Sequence, residues 1–248
     1  MPEALSPLAC GLLLVAAAAI GVSKSGFAGV SMLPVLIFAA VFGARASTGV
    51  LLPLLVIGDC CAIAFFGKQV RWHHVVRLLP PALIGVVLGT LLMDRMSDAI
   101  FRPLIGGIIL TLTAVQIWRL WRPATLEHLP HAAWFAWMLG LLAGITTMLA
   151  NAAGPVVALY LLAVSLPKLE FVATSAWLFL IVNVFKLPFS YSLGLISLDS
   201  LWINLWLAPA IPLGMLGGRW LIRRVPQKLF DSLLLAFTAA AAWRLLSG

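Results

Sequence analysis

Between Ile20 and Leu36, Ser23, Lys24, Ser25, Gly26 and Gly29 interrupt what would otherwise be one continuous apolar run. A lysine at the centre of a membrane helix costs about 2.5–3.5 kcal/mol on insertion scales, so it persists where it faces a cavity or a partner. The chemistry these residue types offer is anion binding. An ammonium and two hydroxyls can donate, glycines permit close backbone approach, and a half-helix starting after the break presents free amides and a positive dipole end. The competing reading is a structural pair between Lys24 and Asp59, or a lysine reaching for the membrane interface. A second polar break, "TTMLANAAGPVV", supplies Thr146, Thr147 and Asn151 before Gly154 and Pro155. Proline suits the first turn of a new helix, where its missing N–H is not needed. If the two breaks meet, one contributes the cation and the other neutral donors, although Asn and Thr also serve to bind helices to one another.

Asp59 lies mid-segment in "LLVIGDCCAIAF", and a lone intramembrane carboxylate is a candidate proton relay as well as a candidate partner for Lys24. Asn183 and Lys186 stand three residues apart in "FLIVNVFKLPF" and so share a helix face. His73 and His74 adjoin Trp72 in a basic loop; as neighbours they do not share a face, which suits interfacial residues better than metal ligands. Cys10, Cys60 and Cys61 fall in apolar segments without metal-ligand spacing and read as small core residues. No nucleotide loop and no nucleophile with its base is visible among only eight acidic residues, so neither enzyme nor cofactor nor metal is expected.

The elements that must position these groups follow from composition. The chain has 248 residues, 63% of them hydrophobic and 10% charged, with mean hydropathy +1.11. That balance excludes an ordinary soluble domain and predicts an all-α polytopic membrane protein whose surroundings are the lipid bilayer. Ten Trp against two Tyr, among them Trp72, Trp118, Trp121, Trp134, Trp202 and Trp243 near segment ends, fit an interfacial belt. The net charge of +8 resides in short loops without interleaved aromatics, so it reads as membrane topology and excludes nucleic acid as a partner. The first segment carries Glu3 and no basic side chain before it, which favours a retained helix over a signal peptide.

Apolar segments fall at 5–22, 29–42, 47–66, 75–93, 101–121, 132–149, 155–166, 172–189, 201–221 and 229–246. A full span needs about 20 residues. The pieces 29–42 and 155–166 are too short and follow the two breaks, as broken or re-entrant helices do. The pattern recurs at about 125 residues: Gly29 falls opposite Gly154, Thr48 opposite Thr174, Asp59 opposite Asn183, and "WRL" occurs at 118 and at 243. Two repeats are expected, 1–124 and 125–248, each with a broken first helix pair followed by three transmembrane helices. Lys68, Arg71 and Arg77 occupy a loop whose counterpart in the second half is uncharged, whereas Arg219, Arg223, Arg224 and Lys228 occupy one whose first-half counterpart is electrically balanced. By the positive-inside rule the halves are inverted copies, with loops 67–77, 119–131, 167–171 and 219–228 cytoplasmic and both termini outside. Inverted repeats with discontinuous helices are a signature of secondary transporters.

At these residues the sequence resembles the TauE/SafE family, the sulfite exporter and sulfonate permease group of bacterial membrane proteins. The resemblance lies in "SKSGFAGVSMLPVL", "LPLLVIGDCCA", "VRW" with "RLLPPALIGVVLGTLL", "ANAAGPVVALYLL", "PKLEFVATSAWLFLIVNVFKLP" and "RRVPQKLF", in that order along nearly the whole chain. Ser25, Ala28 and Ser31 stand where the family often has glycine, and Asn151 where it often has histidine. The resemblance implies ATP-independent export of sulfite, sulfoacetate or another organosulfonate across the inner membrane. Carried over by position, it places the site at Ser23, Lys24, Ser25 and Gly26 with Asn151, Gly154 and Pro155, and Asp59, Asn183 and Lys186 nearby; the polar breaks themselves add Thr147 to the substrate-binding candidates and Asp59 as the candidate for proton coupling. The alternatives are a passive anion channel or a carrier of small carboxylates, and the chain is expected as a monomer or homodimer.

Overall fold

The computed structural model describes residues 5–121 and 133–221. Most of loop 119–131, the basic residues Arg223, Arg224 and Lys228, and the apolar segment 229–246 lie outside these residues. The described chain is helical, without a strand: α1 (Pro7–Lys24), α2 (Met32–Phe42), α3 (Ala44–Phe66), α4 (Trp72–Arg95), α5 (Asp98–Trp121), α6 (Ala133–Ala150), α7 (Gly154–Ala163), α8 (Lys168–Ser192), α9 (Leu198–Leu207) and α10 (Ala210–Leu221). Among the described residues six stretches are long and apolar enough to cross a membrane, so the protein is an all-α, multi-pass membrane protein. The exposed Trp72 and Trp134 lie in the first turns of α4 and α6, as interfacial residues do.

The segment expected at 201–221 is a candidate span at Leu198–Trp220, interrupted between α9 and α10 where Pro209 follows Ala208 and cannot donate to the turn before it. One feature departs from the sequence reading. Cys60 is exposed, and Cys10 and Cys61 are only partly buried, because they lie on outward faces of α1 and α3 and not in the core.

The breaks fall where the sequence placed them. α1 starts on a Ser6 cap, whose hydroxyl accepts from the Ala9 amide at 3.2 Å, with Pro7 in its first turn. It ends at Lys24, and Gly26 follows at φ +115°, a conformation that side chains rarely adopt. A 3-10 turn, Ala28–Ser31, then feeds the 11-residue α2. α6 ends at Ala150, Asn151 turns back at φ 51°, and the 10-residue α7 begins at Gly154 with Pro155 in its first turn. At about 1.5 Å per residue neither short helix spans a bilayer core of about 30 Å. The order of long helix, break, short helix and long helix occurs in α1–α3 and again in α6–α8.

Small residues let the long helices approach closely. A Cβ at Gly144 would come within 2.0 Å of the Ala82 carbonyl, so α6 and α4 touch backbone to backbone, with Gly85 opposite. α1 and α10 meet in the same way, where a Cβ at Gly21 would reach the Ile211 carbonyl and one at Gly214 the Ala18 carbonyl. Gly85 and Gly89 therefore pack within this chain, against α6.

Three of the basic loops gather at one end of the molecule. Arg71 forms a two-pronged ion pair with Glu170 at 2.7 and 2.6 Å, and its backbone N–H donates to Thr174 Oγ1. Trp177 donates to the Gly67 carbonyl and its ring lies 5.2 Å from Trp72, while Arg219 lies over the rings of Phe65 and Phe66. His74 Nδ1 lies 3.0 Å from the Tyr160 hydroxyl at the same end, and His73 beside it is exposed.

Candidate functional site

The N-termini of α2 and α7 meet. A Cβ on Gly154 would stand 3.2 Å from Ser31 Oγ, so the first turns of the two short helices face one another. Around that meeting point is a cavity of about 90 Å³, lined at its polar end by Ser23, Lys24, Ser31, Thr147, Asn151 and Asn183. This is room for a small anion with a few waters. Apolar walls from Ile20, Leu55, Val157, Phe171, Val172 and Phe179 continue along α8 towards the end that carries the basic loops. The two helix N-termini direct their positive dipole ends towards this space.

The charged groups are arranged in two layers. Lys24 Nζ forms an ion pair with Asp59 Oδ1. The other carboxylate oxygen, Oδ2, accepts from Asn183 Nδ2 at 2.8 Å, so Asp59 and Asn183 bind each other. Asp59 is fully buried, whereas the Lys24 side chain keeps 14% exposure and its Nζ lies 4.6 Å from the centroid of Phe179. Helix rise from Gly67 places Asp59 about 12 Å below the end of α3, near half the depth of a bilayer core.

Lys186 forms the second layer. It does not reach for the interface: its side chain is 1% exposed, and Nζ donates to the Thr147 carbonyl at 2.7 Å, Thr147 Oγ1 at 3.2 Å and Asn151 Oδ1 at 2.6 Å. Asn151 Nδ2 in turn donates to the Thr48 carbonyl at 2.8 Å, tying the second break to α3. Lys186 thus stands behind the cavity wall, with Thr147 and Asn151 between it and the open space. Two ammonium groups and one carboxylate leave this region with one positive charge in excess of neutrality.

The structure brings together Ser23, Lys24, Gly26, Thr147, Asn151, Gly154 and Asn183 on the cavity surface, with Asp59 and Lys186 directly behind. Ser25 and Pro155 are placed elsewhere. Ser25 is buried, bonds its own helix at the Val22 carbonyl, and packs against α10, where a Cβ on Gly218 would meet its hydroxyl at 2.4 Å. Pro155 is buried in the first turn of α7. The Ser23 hydroxyl donates to the Ile20 carbonyl at 2.8 Å. Residues that sequence reasoning missed are Ser31, Phe171, Ser175 and Phe179. The i, i+4 series 171, 175, 179, 183 ending on Asn183 was the available signal.

The profile of the family described as sulfite exporter TauE/SafE matches residues 12–245, nearly the whole chain. The chain belongs to the TauE/SafE family. No curated protein and no solved structure matches it. TauE/SafE proteins are transporters.

Gly26 provides a local test of this geometry. An added Cβ would stand 3.3 Å from Lys168 Cε and 3.5 Å from Val172 Cγ2, in a backbone conformation unfavourable for alanine. Gly26→Ala should lower stability by about 1–3 kcal/mol, seen as a lower melting temperature.

Proposed function

We propose that the protein is a secondary carrier that exports a small sulfur-containing anion, such as sulfite, sulfoacetate or another organosulfonate, across the bacterial inner membrane. The observation that carries this reading is the cavity where two helix N-termini converge beside Lys24, with Lys186 and Asp59 behind it. A monoanion would complete the neutrality of two ammonium groups and one carboxylate. Protonation of Asp59 would release Lys24 and raise the local charge to match a dianion, which is how proton and anion movement would be linked. Lys24 binds the anion's charge in this account, the helix N-termini and Asn183 donate to its oxygens, and Thr147, Asn151 and Gly154 shape the opposing wall.

The repeated helix order of α1–α3 and α6–α8 and the clustering of residues 67–77, 167–171 and 219 at one end support inverted halves, 1–124 and 125–248, with that end cytoplasmic and both termini periplasmic. Alternating access then comes from the halves moving around the fixed site. The Arg71–Glu170 pair, which joins one half to the other, would close and open with that movement.

Counterflow in liposomes tests the reading. Vesicles preloaded with unlabelled substrate should transiently accumulate labelled anion above its external concentration, with saturable kinetics. A passive channel would equilibrate the label without overshoot, and uptake of acetate in preference to sulfur anions would move the assignment to carboxylates.

A further inference from the structure

We propose that the Lys186 ammonium is a tethered monovalent cation, occupying an oxygen cage at the α6–α7 break that would otherwise take an ion from solution. The inference deepens the carrier reading and rests on it for its meaning, but not for its test. Three neutral oxygens surround Nζ: the Thr147 carbonyl at 2.7 Å, Thr147 Oγ1 at 3.2 Å and Asn151 Oδ1 at 2.6 Å. An ammonium has three N–H donors and no acceptor, which matches three acceptors around one nitrogen. A neutral amine would turn its lone pair towards one of these oxygens.

The setting is also that of a cation site. The carbonyl belongs to the last turn of α6, at the negative end of that helix's dipole. Unwound carbonyls and half-helix C-terminal ends are where carriers with broken helices coordinate dissolved cations. The cage is held rigidly from outside. Asn151 is fixed at φ 51°, its N–H donates to the Thr147 carbonyl at 2.9 Å, and its side-chain amide donates to the Thr48 carbonyl. Among the described residues no carboxylate hydrogen-bonds to Nζ; the nearby Asp59 is engaged by Lys24 and Asn183. The charge on Lys186 is thus set against oxygen dipoles, as a Na⁺ or K⁺ ion would be. Thr147 and Asn151 also line the open cavity, so an ion could reach the cage from it once the lysine is shortened. The tether makes the positive charge behind the anion site permanent, and the wild-type protein needs no ion from solution to supply it.

The test is thermal melting of the purified full chain in detergent, with no substrate anion present. Na⁺, K⁺ or methylammonium replaces N-methylglucamine at constant chloride. Wild type should melt at the same temperature in all four. Lys186→Ala should melt lowest in N-methylglucamine and rise saturably with at least one of the small cations, while Lys186→Met, whose apolar side chain occupies the space, should stay low and unresponsive. A wild type stabilised saturably by Na⁺ or K⁺ would overturn the proposal. So would a Lys186→Ala protein that no small cation stabilises, including one that cannot be recovered folded in any of them. Because no substrate is in the melt, these outcomes stand apart from success or failure of the counterflow experiment.

Discussion

Lys24→Ala is expected to lose anion binding and to destabilise the protein by about 3–5 kcal/mol at the same time, because it strands a fully buried carboxylate without its cation. Asn183 still donates to Asp59 Oδ2, but one amide cannot replace an ammonium. Adding Asp59→Asn to a Lys24→Met protein removes the stranded charge. A buried ion pair replaced by neutral side chains of similar size is often no less stable than the pair, so the double variant should regain most of the lost melting temperature. Binding should not return with it. This separation of fold from function is what a structural pair lying inside a binding site predicts, and a purely structural pair would leave anion binding intact in the folded double variant.

Gly144→Leu is expected to have the second large effect, on the fold alone. A Cβ at residue 144 would overlap the Ala82 carbonyl at 2.0 Å and approach Gly85 Cα at 2.8 Å, and backbone cannot rotate away as a side chain would. α4 and α6 must separate along their closest contact, with a loss of about 3 kcal/mol or more, visible as a collapse of the melting temperature or of the yield of monodisperse protein. Gly11→Ala is the control. Among the described residues nothing lies within 4 Å of an added Cβ there, and alanine is the better helix former, so its melting temperature should stay level or rise.

Much of the fold was legible because charged and small residues are conspicuous in an apolar chain. Lys24, Asp59 and the "LANAAGP" break had no reason to sit inside membrane segments unless something polar met them, and the structure has them meet around one cavity. The geometry leaves room for both readings of Lys24, since it is paired with Asp59 and also lines the cavity. Lys186 was harder to place. Its position along α8 allowed either interface or core, and only the packing of α8 against the α6–α7 break directs its amine inward. Ser31, Phe171, Ser175 and Phe179 were missed because hydroxyls and aromatics along a helix face look the same whether they pack or line a space. Ser23 lines the cavity, and its hydroxyl donates to the Ile20 carbonyl of its own helix. The division of α9 from α10 could have been read from Pro209, which a hydropathy window averages away.

The most direct measurement is the thermal shift of wild type and the Lys24→Met/Asp59→Asn double variant, run together against sulfite, sulfoacetate, taurine, thiosulfate, acetate and chloride. A ligand at 100 times its dissociation constant stabilises by about 2.7 kcal/mol, a readily visible shift. The account predicts that at least one sulfur anion raises the wild-type melting temperature and leaves that of the folded double variant unchanged. A panel in which no sulfur anion shifts the wild type, or in which both proteins shift equally, would contradict it.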